Sequence, residues 1–426
     1  MFKKISIIII VVVVIAFIIY SCNTNIDGDE LEPTKETDTI TLRFVNSWGG
    51  VDSNADTLNA IFREFMQENP NITIVNDSVG GSDFLTMIKT DFATNNDPDV
   101  FGIWPGSDID AMIKAGKIAD LTDLLNDDSE WKSTFGDDAW SYCTVDGRIY
   151  GLPVEIIYEA LFVNKEIFDK YQLEMPKTYA ELTDTIKVLA KNNIIPIAYN
   201  HEAEGTFLYQ NLVVQHLSTG RVKSYKDALK LGMYDMYELY KMGAFPENAY
   251  YLSNSQRNEL FLNGEAAMIV QGSWFTREIY ESNMESKVEM LSFPSFIESK
   301  TGYYTLIYGL GSGTFYISQK AWDDEKKRDA CIQLLRKLTS PEASAILSDE
   351  SGFLSNIEMN DIQKENNKLY TRGIELINGA YYLMPPPDSV VDRDIWENII
   401  VKEFPDIYRY GESKIENIWS KISVDD

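Results

Sequence analysis

From residue 40 onward, short runs rich in β-branched and aromatic residues alternate with stretches whose apolar residues recur every three or four positions, and this alternation constrains the fold more than any other feature. ITLRFVN (40–46) reads as a strand and is followed by the turn-forming Ser-Trp-Gly-Gly. Leu58, Ile61, Phe62, Phe65 and Met66 then line one face of a helix that Asn69-Pro70 ends. The pattern repeats with a strand at 72–75, a helix face of Phe84, Met87, Ile88 and Phe92, a strand at 99–103, and a short helix at 109–115 closed by Gly116. Strand and helix in turn predict an α/β fold with a largely parallel sheet covered on both faces.

A second cycle opens at Leu161-Phe162-Val163. Its helix starts with Thr178 and carries Glu181 three residues later, the spacing of a capping box, and Leu182, Ile186 and Leu189 form its inner face. A strand at 194–199 and helical patterns at 207–217 and 225–241 follow. At 426 residues and 44% hydrophobic content the chain exceeds the size at which single cores stop growing, so two lobes are expected. In open α/β sheets ligands sit beyond the carboxyl ends of the strands, which directs attention to the loops at 47–50, 80–83, 104–107, 200–206 and 271–275.

The chain begins Met-Phe-Lys-Lys, continues with an apolar run from residue 5 to 20, and then reads Ser21-Cys22. A basic start, an apolar middle shorter than a comfortable membrane span and a small residue before the cut describe an export signal over residues 1–21. Cys22 stands where lipoprotein processing leaves a lipidated cysteine, and the stretch before it resembles a lipobox, with Tyr20 bulky for its place; the alternative is an uncleaved anchor helix. Residues 22–39 are polar and acidic and read as a flexible tether. Both readings put the rest of the chain on the outer face of the cell membrane. A formal net charge of -28 would repel nucleic acid before it reached a site. Cys143 and Cys331 fit no metal or redox spacing and default to buried free thiols, and neither a cofactor nor a metal is implied.

Several segments, in one order, resemble the family 1 extracellular solute-binding proteins, the group that includes the maltose-binding protein. They are FREFMQENPNITIV (62–75), DPDVFGIW (97–104), AGKIADLTDLL (115–125), DGRIYGLP (146–153), ALFVNKEIFDKYQLEMPKTYAEL (160–182), FLNGEAAMIVQGSWF (261–275) and LTSPEASAIL (338–347). Tyr179 stands where the family often has Trp. The resemblance implies a two-lobed periplasmic-binding-protein-like fold of type II, with lobe 1 from residues 40–154 and 310–352, lobe 2 from 155–309 and 353–426, and hinged crossings at 154–159, 308–313 and 351–354 that the glycines at 309, 311, 313 and 352 make pliable. It further implies a monomer that binds a small molecule, most readily a sugar, and delivers it to the transmembrane permease subunits of an ABC importer.

A sugar offers hydroxyls at its edge and C–H patches on its faces, so a site for it needs flat aromatic rings with carboxylates or amides beside them. Trp274, after Gly272-Ser273, is the leading candidate, since the resembled family commonly stacks an aromatic there; core packing is the alternative. Trp48 can be a platform or a surface anchor, and Trp104, before Pro105-Gly106, is similarly placed. Asp83 can accept ligand hydroxyls or serve the start of the following helix. Glu155 and Glu159 lie near the expected crossing, with one expected to face the cleft, and Trp396 is a late aromatic that can equally belong to the core. Catalytic motifs are missing: His201 and His216 have no companion at metal spacing, and neither a nucleophile elbow nor a phosphate loop occurs. A secreted carbohydrate-active hydrolase would need two carboxylates astride a groove, and the same fold can instead hold a peptide, a polyamine or iron.

Overall fold

The computed structural model describes residues 39–423 apart from 51, 53, 81, 298–302, 352–353 and 358–367. The expected signal, Cys22, the tether and the hinge glycine at 352 lie outside the described residues.

The first sheet contains β1 (Ile40–Val45), β2 (Ile72–Asn76) and β3 (Val100–Gly102), with β2-β1-β3 as one parallel block. A hairpin of β4 (Thr144–Val145) and β5 (Arg148–Ile149) stands apart from it. Two later strands, β6 (Leu152–Pro153) and β12 (Thr314–Ile317), complete the order β2-β1-β3-β12-β6, with β12 antiparallel to both neighbours. The period-2 geometry of a strand sends alternate side chains to opposite faces. Leu42, Phe44, Phe315 and Ile317 accordingly pack with Leu58, Ile61, Phe62 and Phe65 of the helix Ala55–Glu68 and with Leu334 and Leu335 of Glu325–Leu338. Val45, Phe101 and Tyr316 pack on the other side with Phe84, Ile88, Ile109 and Met112. Each fully buried Leu or Phe contributes about 1.5–3 kcal/mol, so these two layers fix the sheet between its helices.

The second sheet is built on β7 (Glu155–Asn164), which is buried along most of its length. With β8 (Ile195–Ile197), β9 (Ala266–Gly272), β10 (Val288–Leu291), β11 (Thr305–Leu310), β13 (Leu354–Ser355) and β14 (Tyr382–Met384) it gives the order β14-β11-β7-β9-β8, with β10 and β13 also on β7. This sheet departs from the parallel block of the first: β9, β10, β11 and β13 all run antiparallel to β7, and only β8 on β9 and β14 on β11 are parallel. The reason lies in residues 154–159, expected as a crossing link. Buried Glu155 and Glu159 interrupt the apolar pattern, yet they are the first half of the central strand, which enters from the first sheet and reverses the local direction.

Along β7, Leu161 and Val163 face the helices Tyr179–Lys191, Phe207–Ser218 and Tyr225–Lys241, whereas Ala160 and Phe162 face Phe261, Phe275 and Ile279. Thr178 and Glu181 form the expected capping box. The chain passes between the sheets at Val154, joining β6 to β7, and again through Gly311–Gly313, joining β11 to β12. Neither glycine is in the left-handed region, and each is also hemmed in by side chains. A Cβ on Gly311 would overlap the Glu155 carboxylate, and one on Gly313 would press on Glu155 and Trp48. Cys143 and Cys331 are both buried and unbonded.

Candidate ligand site

Trp274 follows β9 directly and precedes the helix Phe275–Glu281. Its half-buried ring folds back over Gly272, occupying the space any Cβ there would need. The ring meets Phe207 edge-on at a centroid distance of 5.6 Å. Phe207 begins the helix Phe207–Ser218, and Asn211 lies one turn further along the same face, donating from Nδ2 to the Phe207 carbonyl at 3.0 Å. Asn211 also donates to the Glu159 carboxylate at 2.6 Å. Glu159 in turn is the β7 residue paired with Gly272. Strand register and helix periodicity thus converge on one spot where an aromatic pair borders an amide and a carboxylate.

That spot is acidic, and Glu159 and Asn211 are buried in it. Burial pushes the Glu159 carboxyl well above the usual carboxylate range, and nearby Asp388 pushes in the same direction, against the Asn211 hydrogen bond. Asp388, on the short helix Pro387–Val390, is raised by burial, with Arg393 opposing. Arg393 stands 3.8 Å from Asp388 and donates from Nε to Asp108 at 2.8 Å. Asp108 belongs to the helix that follows β3 and Trp104, and Lys89 reaches its other oxygen at 3.0 Å. At the same place Gly106 adopts φ +131°, and a Cβ on it would strike the Ser389 carbonyl. The strand-end turn of the first sheet therefore meets the 386–393 segment that runs on from β14 of the second.

The sequence candidates separate accordingly. Trp274 and Glu159 are brought together; Trp104 stands at the turn leading to Asp108, its half-buried ring edge-on to Phe84 at 5.7 Å. Trp48 is 3% exposed and packs inside the first lobe's core against Phe315, so it offers no free face in this arrangement. Trp396 is 2% exposed and lies against Tyr209 in the second core. Glu155 accepts the Gly313 amide at 2.8 Å and braces the crossing turn; burial raises its carboxyl to about 8, helped by Asp52. Asp83 is exposed in the first turn of its helix. Phe207, Asn211, Asp388 and Arg393 were not anticipated. One signal for Asn211 was available: FLYQNLVVQHL (207–217) is apolar around its whole circumference, so an amide within it must find a buried partner.

Among the described residues no group of His, Cys, Asp and Glu could hold a metal ion, and no helix is long and apolar enough to cross a membrane. His216 is engaged with Asp235 at 2.6 Å, and His201 sits among aromatic rings.

The family profile described as bacterial extracellular solute-binding protein matches residues 52–345. The chain belongs to this family. It is 26% identical over 191 residues to an uncharacterized ABC transporter extracellular-binding protein of Pyrococcus horikoshii, an alignment spanning 44% of each chain. It is 24% identical over 337 residues, 75% of each chain, to the multiple sugar-binding protein of Streptococcus mutans. The maltose-bound MalE3 of T. maritima superimposes with a TM-score of 0.72 at 20% identity, covering 90% of this chain and 99% of that one. This extracellular solute-binding protein accordingly has the two-lobed α/β fold of its relatives.

Proposed function

We propose that this solute-binding protein captures a carbohydrate outside the cell and delivers it to the permease subunits of an ABC importer. The observation that carries the reading is the half-buried Trp274 ring at a strand end, set edge-on to Phe207 and backed by the buried Glu159–Asn211 pair: a flat apolar ring held in place suits a pyranose, which needs a face to stack on. Burial holds the Glu159 carboxyl well above the usual carboxylate range and so disfavours charge at this wall, which suits a neutral ligand. The sugar-binding name of the Streptococcus mutans relative supports the same class of ligand.

The lobes, residues 40–154 with 310–352 and 155–309 with 353–426, close on the ligand about the crossings at Val154 and Gly311–Gly313, and the importer reads the closed shape. Lipidation at Cys22 holds the chain to the outer face of the membrane, where it works as a monomer and performs no chemistry on its ligand. A thermal-shift screen of sugars, peptides, polyamines and metal ions tests the reading, since a ligand that binds only the folded state raises its midpoint. Sugars alone should raise it; a rise with peptides, polyamines or metals and none with sugars, or turnover of a sugar that binds, overturns it.

A further inference from the structure

Arg257 is 1% exposed, one of the largest side chains that the fold seals completely. It lies on the helix Asn254–Leu262, and its guanidinium is turned to neighbouring amides. Nε and Nη2 donate to Asn258 Oδ1 at 3.2 and 2.9 Å, and Nη1 donates to Asn200 Oδ1 at 3.4 Å. A buried cation is costly unless it is hydrogen-bonded, and the planar five-donor fork of arginine holds two acceptors on different segments at fixed angles, which a lysine ammonium cannot do. The two acceptors lead to the two aromatic rings of the candidate site.

One branch runs to Trp274. Gln271 donates from Nε2 to the same Asn258 Oδ1 at 3.3 Å, and its own Oε1 accepts the Gly272 amide at 2.9 Å. Gly272 is the floor on which the Trp274 ring lies, so close that a Cβ there would fall 2.1 Å from the ring. Beyond the tryptophan, Asn258 donates from Nδ2 to both Glu278 oxygens at 3.0 Å, and Glu278 belongs to the helix Phe275–Glu281 that Trp274 precedes. The turn carrying the ring is thus tied at both ends to one side-chain amide, whose oxygen Arg257 holds. The other branch runs to Phe207. Asn200 donates from Nδ2 to the Leu252 carbonyl at 3.2 Å and to Asn254 at 2.9 Å. Its carbonyl and Oδ1 fill the space a Cβ on Gly205 would need, two residues before Phe207, whose ring meets Trp274 at 5.6 Å. Asn200, Asn258 and Gln271 are all buried, so a bond lost among them is not made good by bulk water.

We infer that Arg257 is a positioning residue of the ligand site: without touching the ligand it sets the Trp274 ring through Asn258 and Gln271, and the approach to Phe207 through Asn200. Its effect on affinity rests on the carbohydrate reading above; its effect on the ring does not. Arg257→Lys keeps the charge and removes the fork, and Gln271→Met cuts the link to Gly272 while keeping an unbranched side chain of similar length. In the full-length chain labelled with 5-fluorotryptophan, each of the eight tryptophans gives a fluorine signal, and Trp274→Phe identifies the one from Trp274. Both variants should shift or broaden that signal by more than its wild-type linewidth, while the signals of Trp48 and Trp131 in the first lobe's core stay in place. By titration calorimetry with maltose, raffinose, xylotriose and chitotriose, both should lose on the order of tenfold in affinity for whichever sugar the wild type binds best. A lower melting temperature with the Trp274 signal unmoved in both variants would reduce Arg257 to a structural role and overturn the inference, and so would a moved signal with wild-type affinity. Should Arg257→Lys fail to fold, the Gln271→Met signal and affinity decide. If no sugar binds the wild type, the carbohydrate reading falls, and the fluorine signals still decide whether Arg257 sets the ring.

Discussion

Arg393 and Asp108 lie 285 residues apart in sequence and form a buried hydrogen-bonded ion pair of 2.8 Å. The pair joins the helix after β3 of the first sheet to the segment after β14 of the second, beside the candidate site. Breaking a buried pair by removing one partner costs about 3–5 kcal/mol where the other charge is left alone, but Lys89 also reaches Asp108, which places the cost toward the lower end.

Arg393→Ala should therefore loosen the contact between the loops of the two sheets without unfolding either core. Small-angle scattering of the unliganded protein should show a larger radius of gyration, and urea denaturation a lower midpoint. An unchanged radius would mean that the pair does not hold the lobes together.

Glu155 gives a pH prediction whose sign follows from its raised carboxyl. Folded, it titrates at about 8 against 4.5 for an ordinary glutamate. The native state then holds a proton that the unfolded state has lost, so this group's contribution is fully present below about pH 4.5 and is lost as pH rises through about 8. Glu155→Gln keeps an acceptor for the Gly313 amide and removes the titration. The variant should lose less stability than the wild type between pH 5 and pH 8, measured by thermal melts across that range, and parallel curves would count against a buried, protonated Glu155.

The β1 to β3 succession and the helix faces around it were legible because each segment has one clear period: Leu42 and Phe44 alternate, and Leu58, Ile61, Phe62 and Phe65 recur helically. The direction of the second sheet was not, because the first half of β7 carries two carboxylates that read as part of a crossing between lobes. Only the folded chain shows Glu155 taken up by the Gly313 amide and Glu159 by Asn211. The same limit applies to aromatics. Nothing in sequence separates Trp48, sealed against Phe315, from Trp274, which keeps part of its ring open beside Phe207, since the difference is set by partners far along the chain. Gly311 and Gly313 read from sequence as hinge positions, and only the folded chain adds that they leave room for the Glu155 and Trp48 side chains.

Cys22→Ser tests the proposed anchor. Without the thiol that carries the lipid, the protein should appear in the culture medium or remain at its unprocessed size, read by fractionation and mass spectrometry. Unchanged size and unchanged membrane retention would favour an uncleaved anchor helix.

The central claim is that a sugar stacks on the Trp274 ring, whose wall the buried Glu159–Asn211 pair holds in place. Titration calorimetry of the sugar that most raises the melting midpoint, run on the wild type, Trp274→Ala and Asn211→Ala, tests it most directly. Trp274→Ala should weaken binding by on the order of 1 kcal/mol or more beyond the lost contact area, and Asn211→Ala should weaken it further while both variants remain folded. Wild-type affinity in both variants, with Trp274→Ala merely melting at lower temperature, would place Trp274 in the core and contradict the site.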